Sequence, residues 1–121
     1  MQGPAFHNRN MNLTKQHCVP CEGGAKPMTE TKPYFNSISK EWQPNTKHKQ
    51  ISKKLTFKNF QPALDFINRV GELAESEGHH PDIHLTGYKH VTLDLSTHAI
   101  GGLSVNDFIM AAKIDRLKGD N

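Results

Sequence analysis

From Gln50 to Lys58 the side chains alternate. Ile51, Leu55 and Phe57 take the odd positions, interrupted by Lys53, and Gln50, Ser52, Lys54, Thr56 and Lys58 take the even ones. A period of two predicts a strand with one face buried. Trp42, in a Glu-Trp-Gln-Pro stretch ahead of the polar turn around Asn45, fits a preceding strand. The period then changes. Phe60, Ala63, Leu64, Phe66, Ile67, Val70, Leu73 and Ala74 form a broad apolar face opposite Asp65, Arg69, Glu72 and Glu75, which predicts a helix over 60–77 with Asn59 at its N-cap. Gly78 suits a left-handed C′ position and Pro81 forbids continuation. Period two returns in Ile83 and Leu85 and, after a turn at Gly87, in Val91, Leu93 and Leu95, a hairpin with one apolar face. Ser104 with Asp107 three residues later resembles a capping box for a closing helix carrying Phe108, Ile109, Ala111, Ala112 and Ile114. Thr29 offers a cap for a short first helix to about Ser39, limited by Pro33.

The order helix, two strands, helix, two strands, helix, with short connections, predicts an α+β two-layer sandwich: a four-stranded antiparallel sheet with about three helices on one face. At 121 residues with 35% hydrophobic positions there is material for one core. Residues 1–28 show neither period and predict a flexible N-terminal arm or an extended surface segment, with residues 29–121 as the domain. Gln2-Gly3-Pro4 resembles the scar of a cleaved fusion tag, which makes Met11 an alternative to Met1 as the start. No apolar run approaches a membrane span and no secretory signal is seen. Two cysteines three residues apart do not make an extracellular disulfide framework, so the expected home is cytoplasmic.

Charge narrows the partners. The net charge is +3, with ten Lys/Arg against three Asp/Glu in residues 1–58 and five against nine in 59–121. Lys47, Lys49, Lys53, Lys54 and Lys58, flanked by Trp42, Phe57 and Phe60, are the nucleic-acid alternative. A lysine run on the outer face of a strand is more simply a solvated surface that discourages edge pairing, and nucleic acid is not the expected partner.

Histidine is the informative residue, with eight in the chain. His79-His80-Pro81 stands where a helix ends and a strand begins, so the turn aims two imidazoles differently. Such a pair can divide acid and base work near neutral pH. His98, on the polar phase of the strand carrying Thr92, Asp94 and Ser96, could converge on the doublet. Glu75 precedes His79 by one helical turn, and Asp107 could orient an imidazole as well as cap its helix. The metal alternative joins His79, His80, His84 and His98 with Asp82, but adjacent turn histidines rarely share one ion, and no metal is expected. Cys18 and Cys21 are half a zinc knuckle, a redox pair or inert thiols; the last is favoured, since no thioredoxin-like context follows.

Glu75, three residues, His79-His80-Pro81, six residues, Tyr88, nine residues, His98, eight residues and Asp107 resemble the signature of the pterin-4a-carbinolamine dehydratases. The resemblance extends through Trp42, Phe57-Lys58-Asn59-Phe60, Ser96-Thr97-His98 and Gly101-Gly102-Leu103, and Cys18-Val19-Pro20-Cys21-Glu22 looks like the opening of a bacterial and plant branch. It implies dehydration of a 4a-hydroxytetrahydropterin to the quinonoid dihydropterin, a step in tetrahydrobiopterin recycling beside an aromatic amino acid hydroxylase. It implies His79, His80 and His98 as catalytic residues, Pro81, Ser96, Thr97 and Glu75 as substrate contacts, and Asp107 in support. The pterin is the substrate and no cofactor is implied; a homodimer or homotetramer is. Asp82-Ile83-His84 departs from the animal branch, which has an aromatic there. The alternative is a binding or assembly module on the same fold, including a transcription-partner role.

Overall fold

The alternating segment at residue 51 becomes the centre of a sheet. In a computed structural model that describes residues 12–20 and 26–119, β1 (Gln43–Pro44), β2 (Ile51–Thr56), β3 (Asp82–Thr86) and β4 (His90–Leu95) pair antiparallel in the order β1-β2-β4-β3. The register sets Ile51 opposite Leu95 and Leu55 opposite Val91, while Ile83 faces Leu93. These residues lie on the inner face, whose members on β2 and β4 are buried. The outer face is polar and bonded to itself: the Ser52 hydroxyl donates to Asp94 at 2.5 Å, and His84 meets the other Asp94 oxygen at 2.9 Å.

Helix α2 (Phe60–Glu77) buries Ala63, Phe66, Val70 and Ala74, a stripe at helical spacing. Its C-cap Gly78 has φ 68°, the left-handed value glycine adopts without cost. Asn59 stands at the N-cap in extended geometry without a side-chain capping bond, and Phe60, expected inside, is exposed. Helix α3 (Val105–Gly119) is buried almost all round from Asn106 to Ala112. It is covered by the sheet, by α2, by α1 (Lys32–Phe35) and by the 3-10 turn Leu13–Lys15. Tyr34, tilted, and Phe35, edge-on, both pack against Phe108, with ring centroids 5.4 and 5.1 Å away. Burying an aromatic such as Phe108 contributes roughly 1.5–3 kcal/mol. The first helix is shorter than expected: Pro33 sits in its first turn, and only one turn is completed.

One expectation is corrected. Lys53 does not belong to the exposed lysine run: it holds an inward position of β2 and is buried. Its Nζ donates to Asp115 at 2.7 Å, the Trp42 indole N–H donates to the same oxygen at 2.9 Å, and the Ser39 amide takes the other at 2.8 Å. A buried ammonium is tolerable only when so paired.

The described part of the segment before residue 29 is fastened to the packed body. Leu13 is part of the core, the Cys18 amide donates to Glu77 at 2.7 Å, and the Met28 amide donates to Leu103 at 2.8 Å. The expectations for residues 1–11 and for Cys21 lie outside the described residues. No described helix is long and apolar enough to cross a membrane.

Candidate active site

Four pieces of chain meet at a cavity of about 270 Å³. The end of α2 supplies Gly78, His79 and His80; the exit of β4 supplies Ser96 through Ala99; the first turn of α3 supplies Asn106; and the N-terminal segment supplies Val19 and Pro20. The volume is near the lower end of small-molecule sites and suits a compact heterocycle.

The left-handed turn at Gly78 splits the doublet. His79 reaches inward to α3, where Nε2 lies 2.6 Å from Asp107 Oδ1. The His79 side chain is 12% exposed and Asp107 is fully buried. The second carboxylate oxygen accepts from the Thr97 hydroxyl at 2.8 Å and from the Ser104 amide at 3.0 Å. Asp107 is therefore both the carboxylate of the capping box and the support of an imidazole, and its place in the first turn of α3 suits a negative charge.

His80 turns back along α2, and its Nε2 lies 2.6 Å from Glu75 Oε2. This pair is open to solvent, His80 being 60% exposed. In both pairs a carboxylate that accepts Nε2–H leaves Nδ1 to carry the lone pair of the neutral ring.

His98 is at the cavity, though not on a strand. Strand β4 ends at Leu95, and His98 opens the 3-10 turn His98–Ile100, exposed, before Gly101 at φ 70°. Thr97 continues the inward phase of Leu93 and Leu95, so its hydroxyl is spent on Asp107 and on Ser104 at 2.7 Å. The cavity thus gathers His79, His80, His98, Ser96 and Thr97 with Asp107 behind them. Pro81 and Glu75, expected as substrate contacts, do not line it: Pro81 directs the chain into β3, and Glu75 sits on the exposed face of α2 behind His80. Tyr88 lies in the β3–β4 turn with φ 57°. His84 belongs to the outer sheet face, and among the described residues no three His, Cys, Asp or Glu side chains come together as a metal requires.

Sequence reasoning missed Val19, Pro20 and Asn106. No periodicity marks the first two, and Asn106 is one more polar residue in a helix's first turn. Its amide brackets Val19: Oδ1 accepts from the Val19 N–H at 3.0 Å and Nδ2 donates to the Val19 carbonyl at 2.6 Å. The neighbouring anchor is Glu77, which accepts from the Cys18 amide, from His17 at 2.9 Å and from Lys113 at 2.5 Å. Burial pushes the Glu77 carboxyl up, but the bonds from Lys113, Cys18 and His17 outweigh it and hold the group at about 2. Burial, with the Glu77 charge adding to it, raises the Cys18 thiol to about 12, so it remains a protonated donor to the Asn106 carbonyl at 3.6 Å.

A small α+β body holding two carboxylate-backed imidazoles and a third histidine at one cavity has the equipment for proton transfer. Comparison with known proteins is specific: a family model described as Pterin 4 alpha carbinolamine dehydratase matches residues 27–117, and the chain belongs to that family. A protein of Halorhodospira halophila, provisionally named a pterin-4-alpha-carbinolamine dehydratase, is 46% identical over 108 residues, 88% of this chain and 98% of that one. Pterin-4-alpha-carbinolamine dehydratase 2, mitochondrial, of Arabidopsis thaliana is 40% identical over 111 residues, 88% of this chain and 59% of that one. The crystal structure of a transcriptional coactivator/pterin dehydratase from Brucella melitensis superposes with a TM-score of 0.69 at 26% identity, covering 76% of this chain and 98% of that one.

Proposed function

We propose that the protein dehydrates a 4a-hydroxytetrahydropterin to the quinonoid dihydropterin. The observation that carries this reading is the meeting of His79, His80 and His98 at one cavity in a chain of this family. The reaction breaks the C4a–O bond, removes the proton from N5, forms the C4a–N5 double bond and releases water. One imidazole takes the N5 proton and another, protonated, delivers one to the departing hydroxyl. His79 is the better fixed of the two rings in the doublet, because Asp107 holds its Nε2 from a buried position. A ring that need not be reoriented before reaction lowers the barrier for the same proton transfer. No metal or cofactor enters this scheme, since the pterin is substrate.

In this reading the protein acts after an aromatic amino acid hydroxylase, which releases the carbinolamine, in tetrahydrobiopterin recycling, with the cytoplasm as the proposed compartment. Half-buried Ile67 and Ile83 and exposed Phe60 leave apolar surface on α2 and β3 that a homodimer or homotetramer would cover.

The test is the ultraviolet decay of freshly generated 4a-hydroxytetrahydrobiopterin in a stopped-flow instrument, with and without protein and with a chelator arm. Acceleration that survives the chelator supports the reading. A folded protein that leaves the decay unchanged overturns it and favours a binding role, the coactivator half of the Brucella relative's description.

A further inference from the structure

We propose that Val19 and Pro20 form a wall of the pterin cavity and that Asn106 is the positioning residue that sets it. The inference rests on the reading that the cavity receives a pterin. Residues 17–20 fall outside the part of the chain that the family model covers, 27–117, yet they are fastened to it at both of its helical walls. Glu77, at the end of α2, holds the Cys18 amide at 2.7 Å, and Asn106, at the start of α3, holds both backbone polar groups of Val19.

The clamp has a directional result. With its N–H and carbonyl satisfied, Val19, a residue 63% exposed, presents its side chain at the cavity rim and is followed by Pro20. An isolated exposed valine means little, but one whose backbone is pinned by a buried amide beside three histidines is a pre-ordered apolar surface. The flat ring system of a pterin has two weakly polar faces and a polar edge. A Val-Pro wall can cover a face while the histidines address the edge, and water is thereby kept from the reacting C4a–N5 bond.

The same bonds suit a primary amide at 106. Only a primary amide offers an acceptor and two donors in the span of one peptide unit; Asp could accept from Val19 but not donate. Asn106 itself is buried. It lines the cavity only beneath Val19, whose backbone it holds, so its action on substrate is tested together with that of Val19.

The test compares Val19→Ser and Asn106→Ala with the wild-type chain, using carbinolamine kinetics, fluorescence titration with oxidised biopterin, and thermal melting. Val19→Ser should raise KM and the biopterin Kd about tenfold, with kcat within about twofold and an unchanged Tm, since its side chain contributes to binding rather than to the proton transfers. Asn106→Ala should raise KM to a similar extent and lower Tm by several degrees. Adding Val19→Ser to it should then change KM little, because the wall is already loose. Val19→Ser with KM and Kd unchanged overturns the proposal, as does Asn106→Ala that melts early yet binds biopterin normally. If the wild-type chain binds biopterin without accelerating dehydration, the dehydratase reading fails and the wall stands or falls on Kd alone. If it binds no biopterin, the wall is rejected too.

Discussion

His79 and His84 each meet a carboxylate, at 2.6 and 2.9 Å, and by distance alone they are alike. Their surroundings separate them. Asp107 is fully buried, and its oxygens also receive Thr97 and the Ser104 amide, while His79 is 12% exposed. Asp94 sits on the outer face of the sheet, where its other bond comes from Ser52, and His84 is 54% exposed. A pair in solvent is screened and can be exchanged for water, whereas a buried carboxylate holding three donors is costly to disturb and fixes the ring it holds. The lesson is that a histidine–carboxylate pair marks a site when its carboxylate is also part of the fold.

Removal of the buried carboxylate should have the largest effect. Asp107→Ala leaves Thr97, the Ser104 amide and His79 without their acceptor and should cost about 3–5 kcal/mol in urea unfolding. Carbinolamine turnover should fall at least about 100-fold, because the ring loses its orientation. Asp107→Asn keeps the volume and part of the bonding. It should recover some stability but little turnover, separating the structural role from the chemical one. His80→Ala sharpens the contrast within the doublet. His80 is 60% exposed, so stability should change by no more than about 0.5 kcal/mol, while kcat should still fall about 100-fold or more. Unchanged turnover in a folded His80→Ala protein would remove that histidine from the mechanism.

Acid should test the other buried carboxylate. Glu77 ordinarily titrates near 4.5 and is held at about 2 in the folded chain by Lys113, Cys18 and His17 against the opposing effect of burial. A folded value below the unfolded one means that its contribution is complete above the unfolded value and is lost as pH falls from there toward 2. Unfolding free energy should therefore drop on the order of 2 kcal/mol across that window from this group. In Glu77→Gln the drop should be smaller by that amount and the protein less stable at pH 7. An identical acid profile in the variant would show that the N-terminal anchor has no such electrostatic component.

How far the sequence revealed this depends on the range of the signal. Strands β2, β3 and β4 and helix α2 follow from periods of two and 3.6, and the turn that splits the doublet follows from Gly78 and Pro81, all local patterns. The pairing of Ser104 with Asp107 was equally visible, but as a helix cap; that the same carboxylate reaches His79 is a contact across 28 positions that no spacing rule encodes. Lys53 shows the same limit. It interrupts an alternating strand, and what makes it an inward residue is Asp115, 62 positions away in α3. Val19 and Pro20 left the weakest trace, since a segment held by side chains of Glu77 and Asn106 needs no periodicity of its own. Resemblance to a family named the histidines, and the fold explained their placement.

The smallest effect is expected on the outer sheet face, and it is the control that gives the comparison its meaning. His84→Ala removes an imidazole and its 2.9 Å bond to Asp94, yet Asp94 keeps the Ser52 hydroxyl and water can replace the ring. Stability should move by about 0.5 kcal/mol or less, kcat and KM should stay within about twofold, and neither should depend on chelator. The change is informative because His84 lies only four positions from His80, the residue whose loss should abolish most activity. A large loss of turnover from His84→Ala would mean that the working histidines do not all face the cavity. The distinction drawn between buried and exposed carboxylate partners would then fail at its simplest test.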